Sequence, residues 1–367
     1  MTQPIRLLLL IPHLGGGGAE RVAAELASRL KREQFRICMG LITADAPGAE
    51  PPPEWITVHR FNVRRVRHAW LKLIRLIRTE QPDVILSGMA HLNFLILLLK
   101  PFLPRCTRIL IRQNSTASTS ARNALDRFLY RRLYPRADAV ICQSQAMADD
   151  LVANFGIRPG KLQVLHNPID IRRIRNTTSN VDRWSERTCP RILTVGRLSS
   201  EKGNDLLIRA MEIVKRHHPN VWFAILGLGP EEASLRLLTW KLGLNTAVIF
   251  AGHDDPTLYY PRATLYVQPS RHEGMPNALL EAAAAGLPIV ATPCSAGVSE
   301  LLRDAPGTWL AASVSPEALA QTISEALTSL GTTPRRFEHA FLAPFEASAA
   351  IAAYEALITR TANEGPQ

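Results

Sequence analysis

An alternation that runs through the chain twice constrains it most. Short aliphatic runs at residues 6–11, 36–42, 84–86, 109–111 and 139–142 are separated by segments with apolar residues at helical spacing, such as Val22, Ala23, Leu26, Ala27 and Leu30. Residues 69–79 and 121–133 have the same helical character and are rich in basic side chains. Apolar strands that alternate with helices build a parallel sheet covered on both faces. A second series follows at 191–195, 221–226, 247–250, 264–267 and 288–291. Between the two series, residues 171–189 are polar, lack sustained periodicity and read as a linker.

The expected organisation is therefore α/β: a doubly wound domain over 1–170, the linker 171–189, and a second such domain over 190–340. Residues 341–367 are expected to form a C-terminal helix that packs back on the first domain and ends in a frayed tail. A length of 367 residues suits two domains. No repeat of 20–50 residues and no low-complexity tract is present, which excludes solenoids and propellers. The longest strongly apolar stretch, 94–99, stops at Lys100-Pro101, far short of the ~20 residues of a membrane span. The apolar run at 7–11 is too short for a signal peptide. Five scattered cysteines (Cys38, Cys106, Cys142, Cys189, Cys294) with no C-x-x-C pair read as buried small hydrophobes in a reducing compartment. A cytoplasmic protein is expected.

Charge is unevenly divided. Residues 1–180 carry 27 Lys and Arg against 13 Asp and Glu, so the whole net charge of +11 arises in the first half. Basic asymmetry of this size points to an anionic partner, nucleic acid or a phospholipid surface; a solvated basic face without a partner is the alternative.

The strongest chemical signal is Ser270-Arg271-His272-Glu273-Gly274-Met275-Pro276-Asn277-Ala278-Leu279-Leu280-Glu281, which follows a strand and leads into a helix. A loop ahead of a helix presents free amides, and the helix start favours an anion such as phosphate. Glu273 repels an anion, so its expected partner bears a hydroxyl. Glu281, inside the helix, can accept two hydrogen bonds from a diol such as a ribose. Either acid alone reads as a solvated helix-start carboxylate; the whole spacing weakens that reading. Arg197 and Lys202 follow the strand at 191–195, where two cations can hold a diphosphate and oppose the charge on a leaving nucleotide; singly, each reads as a surface cation. Gly15 to Gly18 permits close approach of backbone to a diphosphate. The G-x-G-x-x-G fingerprint fails, because its sixth position is Glu20 counted from Gly15 and Glu232 counted from Gly227. His91 and Asn93 follow the strand ending at Leu86, where ligands collect at strand carboxyl ends; a core or surface histidine is the alternative.

These motifs resemble glycosyltransferase family 4. The segment Glu273 to Glu281 is similar to the family's E-x7-E signature, and Val195-Gly196-Arg197-Leu198-Ser199-Ser200-Glu201-Lys202-Gly203 to its V-G-R-L-x-x-x-K-G segment. Ile225-Leu226-Gly227-Leu228-Gly229-Pro230, Gly17-Gly18-Ala19-Glu20 and His166-Asn167-Pro168-Ile169-Asp170 resemble three further segments in the family's order. The resemblance implies a GT-B fold of two Rossmann-like domains facing a cleft, the first for the acceptor and the second for the donor. It implies retaining transfer of a sugar from a nucleotide diphosphate, most simply a UDP-sugar, to a glycan or lipid-linked sugar in cell-surface polysaccharide, lipopolysaccharide or glycan assembly. Among the residues, it implies that Arg197 and Lys202 hold the pyrophosphate, and that Gly17, Gly18 and Gly227 border it. Glu281 would hold the ribose, and Glu273, with Gly274, Met275, Pro276 and Asn277, the donor sugar. His91, Asn93, Arg112 and Asn114 fall on the acceptor side, with His91 the candidate base. Two departures stand out. Pro276 replaces a glycine and removes an N–H, and Gln113 stands where many relatives carry histidine.

No carboxylate cluster suited to a metal is visible, so no cofactor and metal-independent transfer are expected. Two other classes are weaker. A nucleotide-dependent oxidoreductase lacks its fingerprint, and a nucleic-acid-binding protein would leave Glu273 and Glu281 idle and has no recognised binding motif. The first domain, whose helices carry Arg64, Arg65, Arg67, Lys72, Arg75 and Arg78, with apolar surface from Leu92 to Leu103 before Arg105 and Arg108, is expected to touch an anionic membrane peripherally. Trp70, Leu71, Leu73, Ile74 and Leu76 fit that role or an ordinary core.

Overall fold

The first strand, β1 (Ile5–Ile11), sets the pattern for its unit. Leu7, Leu8, Leu9 and Leu10 are all buried, but alternate residues enter different cores: Leu8 and Leu10 one, Leu7 and Leu9 the other. A strand buried on both faces has no polar side to offer, which is why its run reads as continuous leucine. The computed structural model describes residues 3–15, 17–45, 51–121, 123–177, 183–184, 190–331 and 335–364. It divides into unit 1 (Met1–Pro168 with Ala347–Gln367) and unit 2 (Ile169–Glu346).

Unit 1 continues with α1 (Gly18–Arg29), β2 (Phe35–Leu41), β3 (Thr57–Arg60), α2 (Trp70–Glu80), β4 (Val84–Ser87), α3 (Ala90–Leu99), β5 (Arg108–Arg112), α4 (Ala117–Ser120), α5 (Ala124–Leu133), β6 (Ala139–Cys142), α6 (Gln145–Phe155) and β7 (Leu162–Val164). Among the described residues it holds a seven-stranded sheet in the order β3-β2-β1-β4-β5-β6-β7, every pairing parallel. Leu73 and Ile77 of α2, Leu92 and Ile96 of α3, Tyr130 and Leu133 of α5 and Leu151 of α6 cover one face. Val22 and Leu26 of α1 cover the other, with Tyr354 and Ile358 from the last helix of the chain.

Unit 2 comprises α7 (Ile171–Asn176), β8 (Arg191–Val195), α8 (Asn204–His217), β9 (Trp222–Leu226), α9 (Glu232–Lys241), β10 (Val248–Gly252), β11 (Leu265–Gln268), α10 (Asn277–Ala284), β12 (Ile289–Ala291), α11 (Ala296–Leu302), β13 (Thr308–Leu310) and α12 (Pro316–Leu330). Its described strands form a six-stranded parallel sheet, β10-β9-β8-β11-β12-β13. Leu193 and Tyr266 face α10 and α11, while Ile192, Leu265 and Val267 face α8 and α12. In this sheet β8 and β11 are neighbours although α8, β9, α9 and β10 separate them in sequence, so the strand order reverses there. Loops at the carboxyl ends of such a pair open a crevice where ligands settle.

Three expectations change. Residues 171–176 are helical rather than linker: Asp170 Oδ1 accepts the Arg173 amide at 2.8 Å, and Ile171 and Ile174 pack on the unit 2 core. An i, i+3 apolar pair behind a capping aspartate was hidden among arginines. Residues 178–182 and 185–189 of the expected linker, and residues 365–367 of the expected frayed tail, lie outside the described residues. Residues 341–346 belong to unit 2, where Leu342 and Phe345 are buried, and only α13 (Ala347–Asn363) joins unit 1. Glu355 of α13 pairs with Lys31 at 2.9 Å. Of the cysteines, Cys38, Cys142 and Cys294 are buried, and burial pushes each thiol up to about 12. Cys106 is instead exposed, and Cys189 lies outside the described residues.

Candidate active site

The crevice of unit 2 is built by backbone packing. Gly203 leads into α8 at φ +65°, and a Cβ there would lie 2.1 Å from the Pro269 carbonyl oxygen of the loop after β11. Gly227, at φ +136°, passes so close to the loop after β8 that a Cβ would meet the Gly196 carbonyl oxygen at 1.9 Å. Only glycine combines those dihedrals with that proximity. Gly227 is thus a packing residue between the β8 and β9 loops. Arg271 adds a side-chain tie, donating to both Asp205 carboxylate oxygens at 2.7 Å and to the Ser200 carbonyl at 2.8 Å.

These ties bring Lys202 to Glu273. Lys202 Nζ lies 2.6 Å from Glu273 Oε1, with 26% of the lysine side chain and 10% of the glutamate side chain exposed. The same oxygen accepts from Ser270 Oγ at 2.8 Å and Gln268 Nε2 at 3.1 Å. Arg197 stands exposed on the same loop as Lys202, and its charge helps hold the Glu201 carboxyl below the ordinary range. Burial alone would raise Glu201; the Ser199 hydroxyl, donating at 2.6 Å, and the nearby cations outweigh it.

Gly274, Met275 and Pro276 are buried, and α10 begins at Asn277 with Pro276 extended in the cap position. Asn277 is half-buried. Glu281, one turn into α10, receives the Tyr260 hydroxyl at 3.5 Å. The two carboxylates therefore flank the start of α10, a positive dipole end. Sequence reasoning assigned no role to Tyr266, Gln268, Ser270 or the Arg271–Asp205 tie. Their sequence signal is the period of two that places 266, 268 and 270 on one side of a strand and its extension.

In unit 1, Gly17 caps α1 and Gly18 opens it. Glu20 is buried in that first turn, 4.0 Å from His13 Nε2. His91 is exposed in the first turn of α3. Asn93 is instead fully buried: its Nδ2 donates to the Arg112 carbonyl at 3.0 Å and to the Tyr134 hydroxyl at 3.4 Å. Arg112 is also buried and donates from Nε to the Tyr354 hydroxyl at 3.1 Å, and to Asn114 Oδ1 and Asn167 Oδ1. Asn114 donates to the Gly88 carbonyl and accepts from Gln143 at 3.1 Å. Asn93, Arg112 and Asn114 thus brace the carboxyl ends of β4 to β6, and of the four predicted acceptor-side residues His91 has the outward position. Gln113 sits between Tyr130 and Tyr134, accepting from the Tyr134 hydroxyl at 2.5 Å.

Among the described residues no three His, Cys, Asp or Glu side chains gather as a metal-binding group, and no helix is long and apolar enough to cross a membrane.

Comparison with known proteins matches the same two regions. Residues 16–173 match the family model described as Glycosyltransferase Family 4, and residues 182–340 match Glycosyl transferases group 1. The chain is 30% identical to the N-acetylgalactosamine-N,N'-diacetylbacillosaminyl-diphospho-undecaprenol 4-alpha-N-acetylgalactosaminyltransferase of Campylobacter jejuni, over 82% of this chain and 84% of that one. It is 26% identical to the amylovoran biosynthesis glycosyltransferase AmsD of Erwinia amylovora over the same shares. The crystal structure of Anabaena HepE in complex with UDP and glucose is similar in fold, with a TM-score of 0.82 at 20% identity, over 97% of this chain and 99% of that one. The chain is a glycosyltransferase of the GT-B fold, a member of the family 4 and group 1 glycosyltransferases.

Proposed function

We propose that this enzyme moves a sugar from a nucleotide-diphosphate sugar, a UDP-sugar, to a lipid-linked or glycan acceptor with retention of anomeric configuration, in cell-surface polysaccharide or glycan assembly. The Lys202–Glu273 pairing at the β8/β11 crevice carries this reading, because it puts a cation and a hydroxyl acceptor side by side. A diphosphate needs the first and the sugar attached to it needs the second. Arg197 and Lys202 would hold the pyrophosphate and stabilise the charge that grows as UDP leaves. Glu281 would hold the ribose, and Glu273, with the backbone near Gly274 and Met275, the sugar. The departing phosphate would help deprotonate the acceptor hydroxyl on the face it leaves, with no metal required.

The Campylobacter relative acts on an undecaprenol-linked glycan by its name, and the HepE structure holds UDP and glucose. The first supports a lipid-linked acceptor here and the second a UDP-sugar donor. Unit 1 supports membrane contact: Trp70 and Leu71 of α2, Leu98 of α3, Phe102, and Leu125 and Phe128 of α5 are exposed. Arg64, Arg65, Arg67, Arg75, Arg78, Arg105, Arg127, Arg131 and Arg132 are exposed beside them in sequence. Leu73 and Leu76, by contrast, are core, as are Leu92, Ile96, Leu97, Leu99 and Leu103. We place the enzyme peripherally on an anionic cytoplasmic leaflet, and treat a nucleic-acid role for the basic half as the poorer fit.

A thermal-shift panel of nucleotide sugars tests the donor directly, since a bound ligand raises apparent stability by mass action. UDP-sugars should raise the melting temperature more than GDP- or ADP-sugars. Equal shifts with every base, or none with any, would overturn the donor assignment.

A further inference from the structure

We infer that Tyr266 and Gln268 are positioning residues that load one oxygen of Glu273 and leave the other for a hydroxyl of the transferred sugar; this rests on the proposed contact between Glu273 and the donor sugar. All three bonds to the Glu273 carboxylate fall on Oε1, from Lys202 Nζ, Ser270 Oγ and Gln268 Nε2. Oε2 receives none from the described residues. An oxygen already holding three donors has little accepting capacity left, so a sugar hydroxyl arriving at Glu273 finds Oε2.

The orientation of the Gln268 amide decides whether this works. Its Nε2 must face the carboxylate, since the amide oxygen there would repel it. The acceptor-only carboxylate of Glu273 takes the NH₂ end, which also reaches Ser270 Oγ at 2.6 Å, and Tyr266 holds that orientation by donating its hydroxyl to Gln268 Oε1 at 2.7 Å. Tyr266 and Ser270 are 0% exposed and Gln268 is 2% exposed, so no water competes for these groups. Thr292, equally buried, fixes the backbone beneath them: its amide donates to the Gln268 carbonyl at 3.0 Å, and its hydroxyl to the Ser270 carbonyl. Burial, with the charges of Glu273 and Glu281, keeps the Tyr266 phenol protonated well beyond its ordinary range, so it remains a donor. The chain Tyr266–Gln268–Glu273 thus runs in one direction, from a phenol in the core to a carboxylate at the crevice.

Calorimetry on the full-length protein with UDP, UDP-glucose, UDP-galactose and UDP-N-acetylglucosamine tests this. The UDP-sugar that binds the unaltered protein more tightly than UDP is the probe. Gln268→Leu should weaken that UDP-sugar about tenfold, the loss of a hydrogen bond to a charged group, and leave UDP unchanged. Tyr266→Phe should act in the same direction and serves if Gln268→Leu fails to fold. Gln268→Glu keeps the volume and sets two carboxyl groups together, raising the pKa of the pair. Its defect should be large near about pH 8 and shrink relative to the unaltered protein toward about pH 5, as the new carboxyl becomes a donor; damage to packing alone would not vary this way. Equal weakening of UDP and UDP-sugar, or a Gln268→Glu defect independent of pH, overturns the positioning role. If Glu273→Gln weakens the UDP-sugar while Gln268→Leu and Tyr266→Phe do not, the positioning role fails and the reading of Glu273 survives. If Glu273→Gln has no effect, or no UDP-sugar outbinds UDP, both fall.

Discussion

Lys202 Nζ meets Glu273 Oε1 at 2.6 Å across 71 residues of sequence, and neither belongs to a strand or an α-helix. Their meeting is produced by β8 and β11 lying side by side, with the loops beyond them tied by Gly203, Arg271 and Asp205. A lysine paired so closely is not spent; the ammonium has further donors to share with a diphosphate.

The cations of this crevice should separate kinetically from the fold. Arg197→Ala and Lys202→Ala should each lower turnover on the order of 10²-fold or more, because both oppose charge developing on the leaving group. Melting should shift little for the exposed Arg197. Near-normal transfer by either variant would remove the proposed role.

Transfer should survive thorough chelation. Two cations at the crevice can supply the electrostatic stabilisation that a divalent ion provides in other transferases. Activity abolished by EDTA and restored by Mn²⁺ would show that the site works differently.

Gly227→Ala should destabilise unit 2 rather than alter donor affinity selectively. Its Cβ would have to displace the Gly196 carbonyl, at a φ unfavourable for any side chain. A cost of roughly 1–3 kcal/mol is in the range for backbone strain of this kind. Scanning calorimetry would read it as a lowered unit 2 transition; an unchanged melt would contradict the packing role.

Acid should loosen the tie between Asp205 and Arg271. Burial alone would raise the Asp205 carboxyl, but the hydrogen bonds and charge of Arg271 bring it below its usual value. A carboxyl lowered in the folded state contributes stability above its unfolded pKa, about 3.9, and loses that contribution as pH falls through the folded value. Arg271→Met should therefore destabilise near neutrality, with the difference from the unaltered protein shrinking as pH falls toward that range. A difference constant with pH would assign the loss to packing instead.

Sedimentation with liposomes tests the basic, apolar surface of unit 1. Each basic group near an anionic leaflet contributes roughly 1 kcal/mol, so several suffice for reversible binding. Binding should require anionic lipid and weaken with salt. Equal recovery in the supernatant with neutral and anionic vesicles at low salt would exclude the surface as a membrane contact and leave the transferase assignment intact.

Much of this architecture follows from local pattern. The short aliphatic run Leu7–Leu10 reads as a strand buried on both sides, and the return of such runs after residue 190 points to a second sheet, because period and apolarity act over a few residues. The E-x7-E spacing and the Arg197–Lys202 segment were likewise readable, since chemistry at one loop depends on consecutive residues. Tertiary structure decided the rest. That Asn93 and Arg112 brace the interior rather than line a surface depends on Tyr134, Asn167 and Tyr354, partners 41, 55 and 242 residues away. That Lys202 joins Gln268 and Ser270 on one oxygen of Glu273 depends on β8 lying beside β11. Hydrogen bonds select partners within about 3 Å in space, and sequence distance carries no information about that.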